Sequence, residues 1–247
     1  MARLVERYRE APHSCPYLPD QEASLDVRLM VEVTPAELGD LLALGWRRFG
    51  PAYFRPACPS CTKCLSVRIV TKAFAASRSQ RRARRNAARL VRLISTPVVD
   101  DERLDLYQRW HGHRERMRGW SENPLDAERY GFDFAFPHPS VREVAFRDPA
   151  AGNRLVGLGL VDVVPDALSA IYFFWDPEYA PPSLGVAHIV TLVEDAVALQ
   201  LPYVYLGYRV DACASLAYKG RYQPQEVLDE RPRGTSAPVW RLEPTGA

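Results

Sequence analysis

Three cysteines, Cys58, Cys61 and Cys64, stand in a C-x2-C-x2-C run within this 247-residue chain. Pro59 and Ser60 between the first two are small and turn-forming, so the three sulfurs can face one point. A fourth ligand must come from elsewhere, and Cys15, followed by Pro16, is the candidate. Tetrahedral zinc and cubane iron–sulfur clusters both take four thiolates, and the spacing does not choose between them. Buried free thiols are the plain alternative, since free cysteine is common in cores; three at this spacing argue for a metal or cluster. Cys213, alone between Ala212 and Ala214, is expected to pack in the core rather than act as a nucleophile.

Arginines form the second concentration. Seven fall between Arg78 and Arg92 with no acidic residue among them, while Asp100 to Asp105 carries four acids against one arginine. Arginines in the first turn of a helix oppose its macrodipole, so Arg78, Arg81 and Arg82 break a local rule that an anion would repair. Guanidinium forks beside backbone N–H groups suit a phosphate or a carboxylate, so a tRNA backbone or an acidic peptide side chain would qualify. The competing reading is a solvated face whose arginines pair with the acids from Asp100 to Asp105. The five histidines show no ligand spacing that improves on the cysteines.

The elements that must hold these residues can be traced along the chain. Thr34-Pro35-Ala36-Glu37 is a capping box with proline at the first helical position, and predicts a helix over Pro35 to Leu44, closed by Gly45. Val67 to Val70 alternates as a strand, which leaves the cysteines in a loop beside it. Ser77 and Gln80 form a second capping box, and a 3.6-residue period gathers Arg78, Arg81, Arg82, Arg85, Arg89 and Arg92 opposite Ala83, Ala87, Leu90 and Ile94. Another helix is expected from Asp101 to Arg118.

After residue 140 the texture changes to strands over Arg142 to Arg147, Leu155 to Val164 and Leu168 to Trp175. A helix over Ser183 to Leu199, a strand over Tyr203 to Tyr208 and a short helix over Ala212 to Lys219 follow. The expected fold is α/β: residues 141–247 resemble the mixed sheet of the GCN5-related acetyltransferases, and residues 1–140 form an α+β, Cys-rich and basic N-terminal subdomain. A coenzyme A pyrophosphate loop would read R/Q-x-x-G-x-G/A ahead of the long helix. Pro181-Pro182-Ser183-Leu184-Gly185-Val186-Ala187 has one glycine and no basic residue, so coenzyme A is not expected.

Composition narrows the class further. With 47% hydrophobic and 25% charged residues the chain is an ordinary globular one, and its net charge of +2 does not by itself point to a polyanion. No apolar run approaches the roughly 20 residues that span a bilayer, and Met1 to Glu10 lacks a signal peptide's apolar core. A cytoplasmic protein with no membrane partner is the expectation.

A set of motifs carries a resemblance. Cys15-Pro-Tyr-Leu, Gly45-Trp-Arg-Arg-Phe-Gly50, Phe54-Arg-Pro-Ala-Cys-Pro-Ser-Cys-Thr-Lys-Cys64, Val67-Arg-Ile69, Ser77-Arg-Ser-Gln-Arg-Arg82, Asp176-Pro-Glu-Tyr179, Ser183-Leu-Gly185, Tyr205-Leu-Gly-Tyr208 and Tyr218-Lys-Gly-Arg-Tyr-Gln-Pro224 run in one order along nearly the whole chain. Together they resemble the arginyl-tRNA-protein transferase family, and most closely its bacterial aspartate/glutamate leucyltransferase branch. The single Cys15, where the eukaryotic branch has a pair, favours the bacterial side.

The resemblance implies transfer of leucine, or of arginine in the other branch, from aminoacyl-tRNA to proteins beginning with Asp or Glu, marking them for N-degron degradation. On that basis Asp176 would orient or deprotonate the amine, the Ser183 to Gly185 helix start would face the donor carbonyl, and Tyr208 would act as acid or orienter. Substrate contact is expected at Arg78, Arg81, Arg82, Tyr179, Leu184, Tyr218 and Lys219, with Arg78, Arg81 and Lys219 taking the acceptor's acidic side chain. The chemistry needs no cofactor, since the aminoacyl ester is already activated, and the zinc or iron–sulfur site at Cys15, Cys58, Cys61 and Cys64 would be structural or regulatory. A small-molecule N-acyltransferase and a non-catalytic, metal-stabilised RNA-binding protein are the alternatives.

Overall fold

A computed structural model describes residues 1–118, 124–179, 183–232 and 236–243. The chain opens with strand β1 (Arg3–Arg9), the short pair β2 (His13–Ser14) and β3 (Glu22–Ala23), and β4 (Leu25–Val31). Helix α1 (Pro35–Ala43) follows, started as its capping box predicts: the Thr34 hydroxyl accepts from the Glu37 N–H while the Glu37 carboxylate accepts from the Thr34 N–H. Strands β5 (Arg47–Phe49) and β6 (Ala52–Pro56) then complete a four-stranded antiparallel sheet in the order β1-β4-β6-β5.

The second sheet is larger and mixed. It takes β7 (Leu65–Val70) and β8 (Val91–Ser95) from before residue 140, and β9 (Val141–Asp148), β10 (Arg154–Val164), β11 (Ala167–Trp175), β12 (Tyr203–Arg209), β13 (Gln225–Leu228) and β14 (Trp240–Leu242) from after it. Their order is β14-β13-β7-β12-β11-β10-β9-β8. The strand that follows the cysteine loop therefore lies inside this sheet, paired with β12 on one side and β13 on the other. Helices α2 (Arg78–Asn86), α3 (Asp101–Arg118), α4 (Ala127–Phe134), α5 (Leu184–Ala198) and the single turn α6 (Ala214–Ala217) complete the chain. The long α5 covers one face, burying Leu184, Ala187, Val190 and Val193 against Val67, Ile69, Val156 and Val204. No helix among the described residues is long and apolar enough to cross a membrane.

One expectation about the elements fails. The arginine periodicity carries a helix to Ile94, but α2 ends at Asn86, a 3-10 turn covers Ala87–Arg89, and Val91–Ser95 pairs with β9 at the sheet edge. Ala83, Ala87 and Leu90 are buried as the pattern requires, whereas Ile94 is exposed. Val91 and Ile94 are β-branched, and pairing along β9 outweighs a helical register that continued apolar spacing only suggested.

Buried ion pairs cross-link the layers. The Arg48 guanidinium on β5 grips Asp162 on β10 with both Nε, at 3.0 Å, and a terminal nitrogen, the two side chains 3% and 1% exposed. Arg103 on α3 does the same to the buried Glu143 on β9.

Two histidines are held neutral, His188 fully buried and His138 partly so. His138 Nδ1 accepts from the Ser140 N–H at 3.1 Å, which leaves the proton on Nε2, 3.1 Å from the Tyr53 hydroxyl. His188 stacks on Phe173 at 4.5 Å, and its ring fills the space beside Gly159, where an added Cβ would fall 2.4 Å from Cε1. Burial first, then Arg48 for His138 and Arg92 for His188, pushes each down to about 3. Below about pH 6.5 the unfolded chain binds two protons that the native protein refuses. Their stabilisation is thus complete above that pH and is lost as the pH falls toward 3. Denaturant titrations between pH 6.5 and 4 should show stability falling with a slope approaching about 2.7 kcal/mol per pH unit, two protons' worth. A pH-independent midpoint over that range would contradict the two neutral rings.

Candidate active site

The parallel contact between β11 and β12 covers only Ala167↔Tyr203, Leu168↔Val204 and Ser169↔Tyr205, although β11 runs on to Trp175 and β12 to Arg209. Beyond Ser169 and Tyr205 the two strands part. On the β12 side the register against β7 shifts between Tyr205 and Gly207, and Gly207 takes φ +80°, a left-handed conformation open to glycine. A Cβ there would lie 3.6 Å from Lys219 Nζ and 3.7 Å from Arg47 Nε. Two cations from distant parts of the chain therefore meet over one glycine.

Neither has an acid beside it among the described residues. Arg47 is 7% exposed; one terminal nitrogen donates to the Trp46 carbonyl at 2.8 Å, while Nε and the other terminal nitrogen have no partner among the described residues. Its guanidinium carbon lies 5.1 Å from the Tyr205 ring centre and 5.7 Å from that of Tyr208. Lys219, in the 3-10 turn Tyr218–Arg221, donates to the Tyr208 carbonyl at 2.7 Å. Although part of the side chain reaches the surface, desolvation of its amine and then the Arg47 charge push Lys219 down to about 7, against a small opposing pull from Cys64. Burying one unpaired cation is costly, and two adjacent ones are costlier. An anion entering between them would lower that cost.

The adjacent strand residues explain how the site is built. Arg47 and Arg48 face opposite sides of β5 because strand side chains alternate. Arg48 is consumed by Asp162, and Arg47 is left facing the Tyr205-to-Tyr208 segment. In the sequence Arg47 stands out only as part of the Gly45 to Gly50 motif, and the adjacent arginine pair beside aromatic residues is the one local signal of its place.

The other expected site residues are placed as follows. Asp176 is 1% exposed, and its carboxylate is taken by Arg154, by Arg109 Nε at 3.3 Å and by the Glu178 N–H at 3.1 Å, which pins the turn after β11. Tyr179 donates to Asp148 at 2.8 Å, and Arg89 reaches the same carboxylate oxygen at 2.9 Å. Residues 180–182, which include Pro181 and Pro182, lie outside the described residues. Ser183 has φ 54° and ψ 54°, uncommon for a residue with a side chain, and its hydroxyl does not cap α5. Leu184 is fully buried, and Gly185 packs beside Trp175, where a Cβ would meet the indole at 3.5 Å. The Tyr208 hydroxyl lies 2.8 Å from the Gly45 carbonyl and 3.2 Å from that of Phe54, to which it donates, and burial pushes its pKa up. Tyr218 is half-exposed and packs edge-on against Tyr222.

On α2, Arg78, Arg81 and Arg82 are exposed, and Arg81 donates to the Ala76 carbonyl. The arginines of this segment that do form ion pairs use Glu194, Asp148 and Asp195; the acids at Asp100 and Glu102 pair with Arg103 and Arg147. Cys15, Cys58, Cys61 and Cys64 are partly exposed free thiols. Burial raises the Cys64 thiol to about 11, opposed by Arg231, and the charges of Cys58, Cys15 and Cys61 add to the rise, so the four share one neighbourhood. Among the described residues no three Cys, His, Asp or Glu side chains converge as a metal ion requires. The donor types suit zinc or a cluster, the convergence does not, and no chemical step here runs through a metal.

Comparison with known proteins bears on the whole chain. The sequence profile of the arginine-tRNA-protein transferase N terminus matches residues 13–82 and that of its C terminus residues 102–229. The chain belongs to the arginine-tRNA-protein transferase family. Within that family it is similar to an aspartate/glutamate leucyltransferase of Helicobacter hepaticus, 33% identical over 97% of this chain and 98% of that one. It is similar also to one of Agrobacterium fabrum, 36% identical over 91% and 92%. Among solved structures, FemX is a looser likeness, with a TM-score of 0.48 and 9% identity over 77% of this chain and 65% of that one. The two family profiles meet at the site: the N-terminal match contains Arg47 and the C-terminal match Gly207 and Lys219.

Proposed function

We propose that this protein is an aminoacyltransferase that moves leucine from leucyl-tRNA to the α-amine of proteins beginning with Asp or Glu. The observation that carries the reading is the Arg47–Lys219 pair over Gly207, two desolvated basic groups with no acid of their own among the described residues. An acceptor's first side chain would supply the missing carboxylate. Its arrival would draw a proton onto Lys219, because an adjacent negative charge favours the charged amine. The relatives named as leucyltransferases of aspartate and glutamate fit this acceptor class.

The reaction itself asks for little acid–base catalysis. The acceptor's α-amine, with an ordinary pKa of about 7.7–8.0, is partly neutral near pH 7. Its nitrogen attacks the ester carbonyl of the aminoacyl-tRNA. An amide bond forms, the ester C–O bond breaks, and the 3′-terminal ribose hydroxyl leaves with the proton that the amine gives up. Holding the first side chain in the cation pair fixes the amine relative to the opening between β11 and β12, and positioning of this kind supplies much of the rate. The start of α5, where Ser183 leaves the first N–H groups uncapped by a side chain, is our choice for the partner of the developing oxyanion. The acyltransferase-like character of the sheet rests on the same parting of β11 and β12.

The metal or cluster at Cys15, Cys58, Cys61 and Cys64 stays a proposal with a structural role. The test of the function is transfer of labelled leucine, in parallel with labelled arginine, from charged tRNA to peptides beginning with Asp, Glu or Ala. Leucine should appear on the Asp and Glu peptides alone. Transfer of arginine but not leucine would move the protein to the other branch, and no transfer with either would sink the reading.

A further inference from the structure

The arginines from Arg78 to Arg92 differ in what they bind. Arg84 on α2 is bound to Glu194 at 2.8 Å, and beyond the helix Arg89 is bound to Asp148 at 2.9 Å and Arg92 to Asp195 at 2.6 Å, so these three fasten the segment to α5 and the sheet, while Arg81 donates to the Ala76 carbonyl. Arg78, Arg82 and Arg85 are exposed, and no ion pair engages them among the described residues. Their spacing is i, i+4, i+7, which puts them in one row on one face, spanning about 10 Å at 1.5 Å per residue.

Helix energetics do not ask for this row. Arg78 stands in the first turn, at the positive end of the dipole, Arg82 lies at mid-helix and only Arg85, in the last turn, is favoured by it; the helix has no acid with which to form supporting i,i+4 pairs. The row also has a fixed relation to the reaction site. Gln80, which is buried and completes the helix cap, donates from Nε2 to the Arg221 carbonyl at 3.0 Å and so ties the first turn of α2 to the turn that carries Lys219. Arg221, itself exposed, stands at that junction.

We infer that Arg78, Arg82 and Arg85 form a docking row for the phosphate backbone of the donor tRNA, leading away from the acyl-transfer site. The inference rests on the function proposed above and names the surface that holds its donor. One acidic side chain is already matched by Arg47 and Lys219, whereas three exposed forks at one-turn intervals match a ligand whose negative charges repeat. Guanidinium is suited to phosphate because it offers a rigid pair of donors. An acidic stretch of the acceptor protein is the rival occupant.

The test is equilibrium binding of leucyl-tRNA, without acceptor, to the full chain as salt is varied. For the triple variant Arg78→Gln, Arg82→Gln, Arg85→Gln the dissociation constant at about 0.15 M salt should rise at least tenfold. The slope of log affinity against log salt should become shallower by about 2, since each lost phosphate contact removes roughly 0.7 to 0.9. Arg84→Gln takes the same charge from the same helix but from a residue already engaged by Glu194, and should leave the slope unchanged. Unchanged thermal melting of the triple variant shows that the fold is intact.

An unaltered salt slope would overturn the inference. So would a defect that appears only as a raised KM for acidic acceptors, which would assign the row to the acceptor protein. Binding is read without turnover, so a protein that docks leucyl-tRNA with this salt dependence yet transfers leucine to nothing would sink the proposed function and leave the docking row standing.

Discussion

Replacing Arg47 with methionine should give a protein that is harder to unfold and much poorer at using acidic acceptors. The stability gain follows from what Arg47 lacks. Its Nε and one terminal nitrogen are buried with no partner among the described residues, and desolvation pushes the guanidinium's pKa down. An unmade hydrogen bond at a buried charge costs about 1–3 kcal/mol or more, while the contact over Tyr205 and Tyr208 returns about 1–2 kcal/mol as cation–π attraction. Methionine has similar reach and no charge, so the net change should be a gain on the order of 1 kcal/mol. Truncating one member of a buried charge pair costs binding about 2–5 kcal/mol, so kcat/KM for an Asp-initiated peptide should fall about 100-fold. Thermal unfolding and acceptor kinetics on the same preparation read both effects. A variant that is less stable and fully active would remove Arg47 from the acceptor site.

The neighbouring arginine should behave in the opposite way. Arg48→Met leaves the Asp162 carboxylate, 1% exposed, without its counterion, and burial already pushes that carboxyl's pKa up against the pull of Arg48. Breaking a buried pair from one side costs about 3–5 kcal/mol, which for a chain of this size lowers the unfolding midpoint by about 10 °C. Adding Asp162→Leu should recover most of the loss, because the cost lies in the orphaned charge rather than in the absent attraction. A double variant as unstable as the single one would mean that packing around β5 and β10, not charge, sets the penalty. Two adjacent arginines on one strand would thus be separated by direction of effect: one stabilises the fold, and the other costs stability for function.

Much of the architecture was legible in local patterns. Thr34 to Glu37 and Ser77 to Gln80 start α1 and α2 with the capping boxes they spell, and the alternating runs after residue 140 are strands. What the sequence could not show was pairing between distant segments. Nothing local to Leu65–Val70 says that it enters the sheet between β12 and β13, and the helical spacing through Ile94 outlasted the helix because an edge on β9 was available. The same limit applies to the site. Lys219 was marked from its motif, but its significance comes from Arg47, 172 positions earlier, and from the bare backbone of Gly207 between them. Asp176 and Tyr208 were natural choices by residue type, yet their polar atoms are engaged by Arg154 and Arg109 in one case and by the Gly45 and Phe54 carbonyls in the other.

The most direct measurement compares two acceptor peptides that differ only in their first residue, Asp or its uncharged isostere Asn, with leucyl-tRNA as donor, in wild type and in Arg47→Met. If a carboxylate completes the Arg47–Lys219 pair, wild type should prefer Asp by about 100-fold or more in kcat/KM, and the preference should collapse toward unity in the variant. A preference for Asp that survives Arg47→Met undiminished would contradict the account.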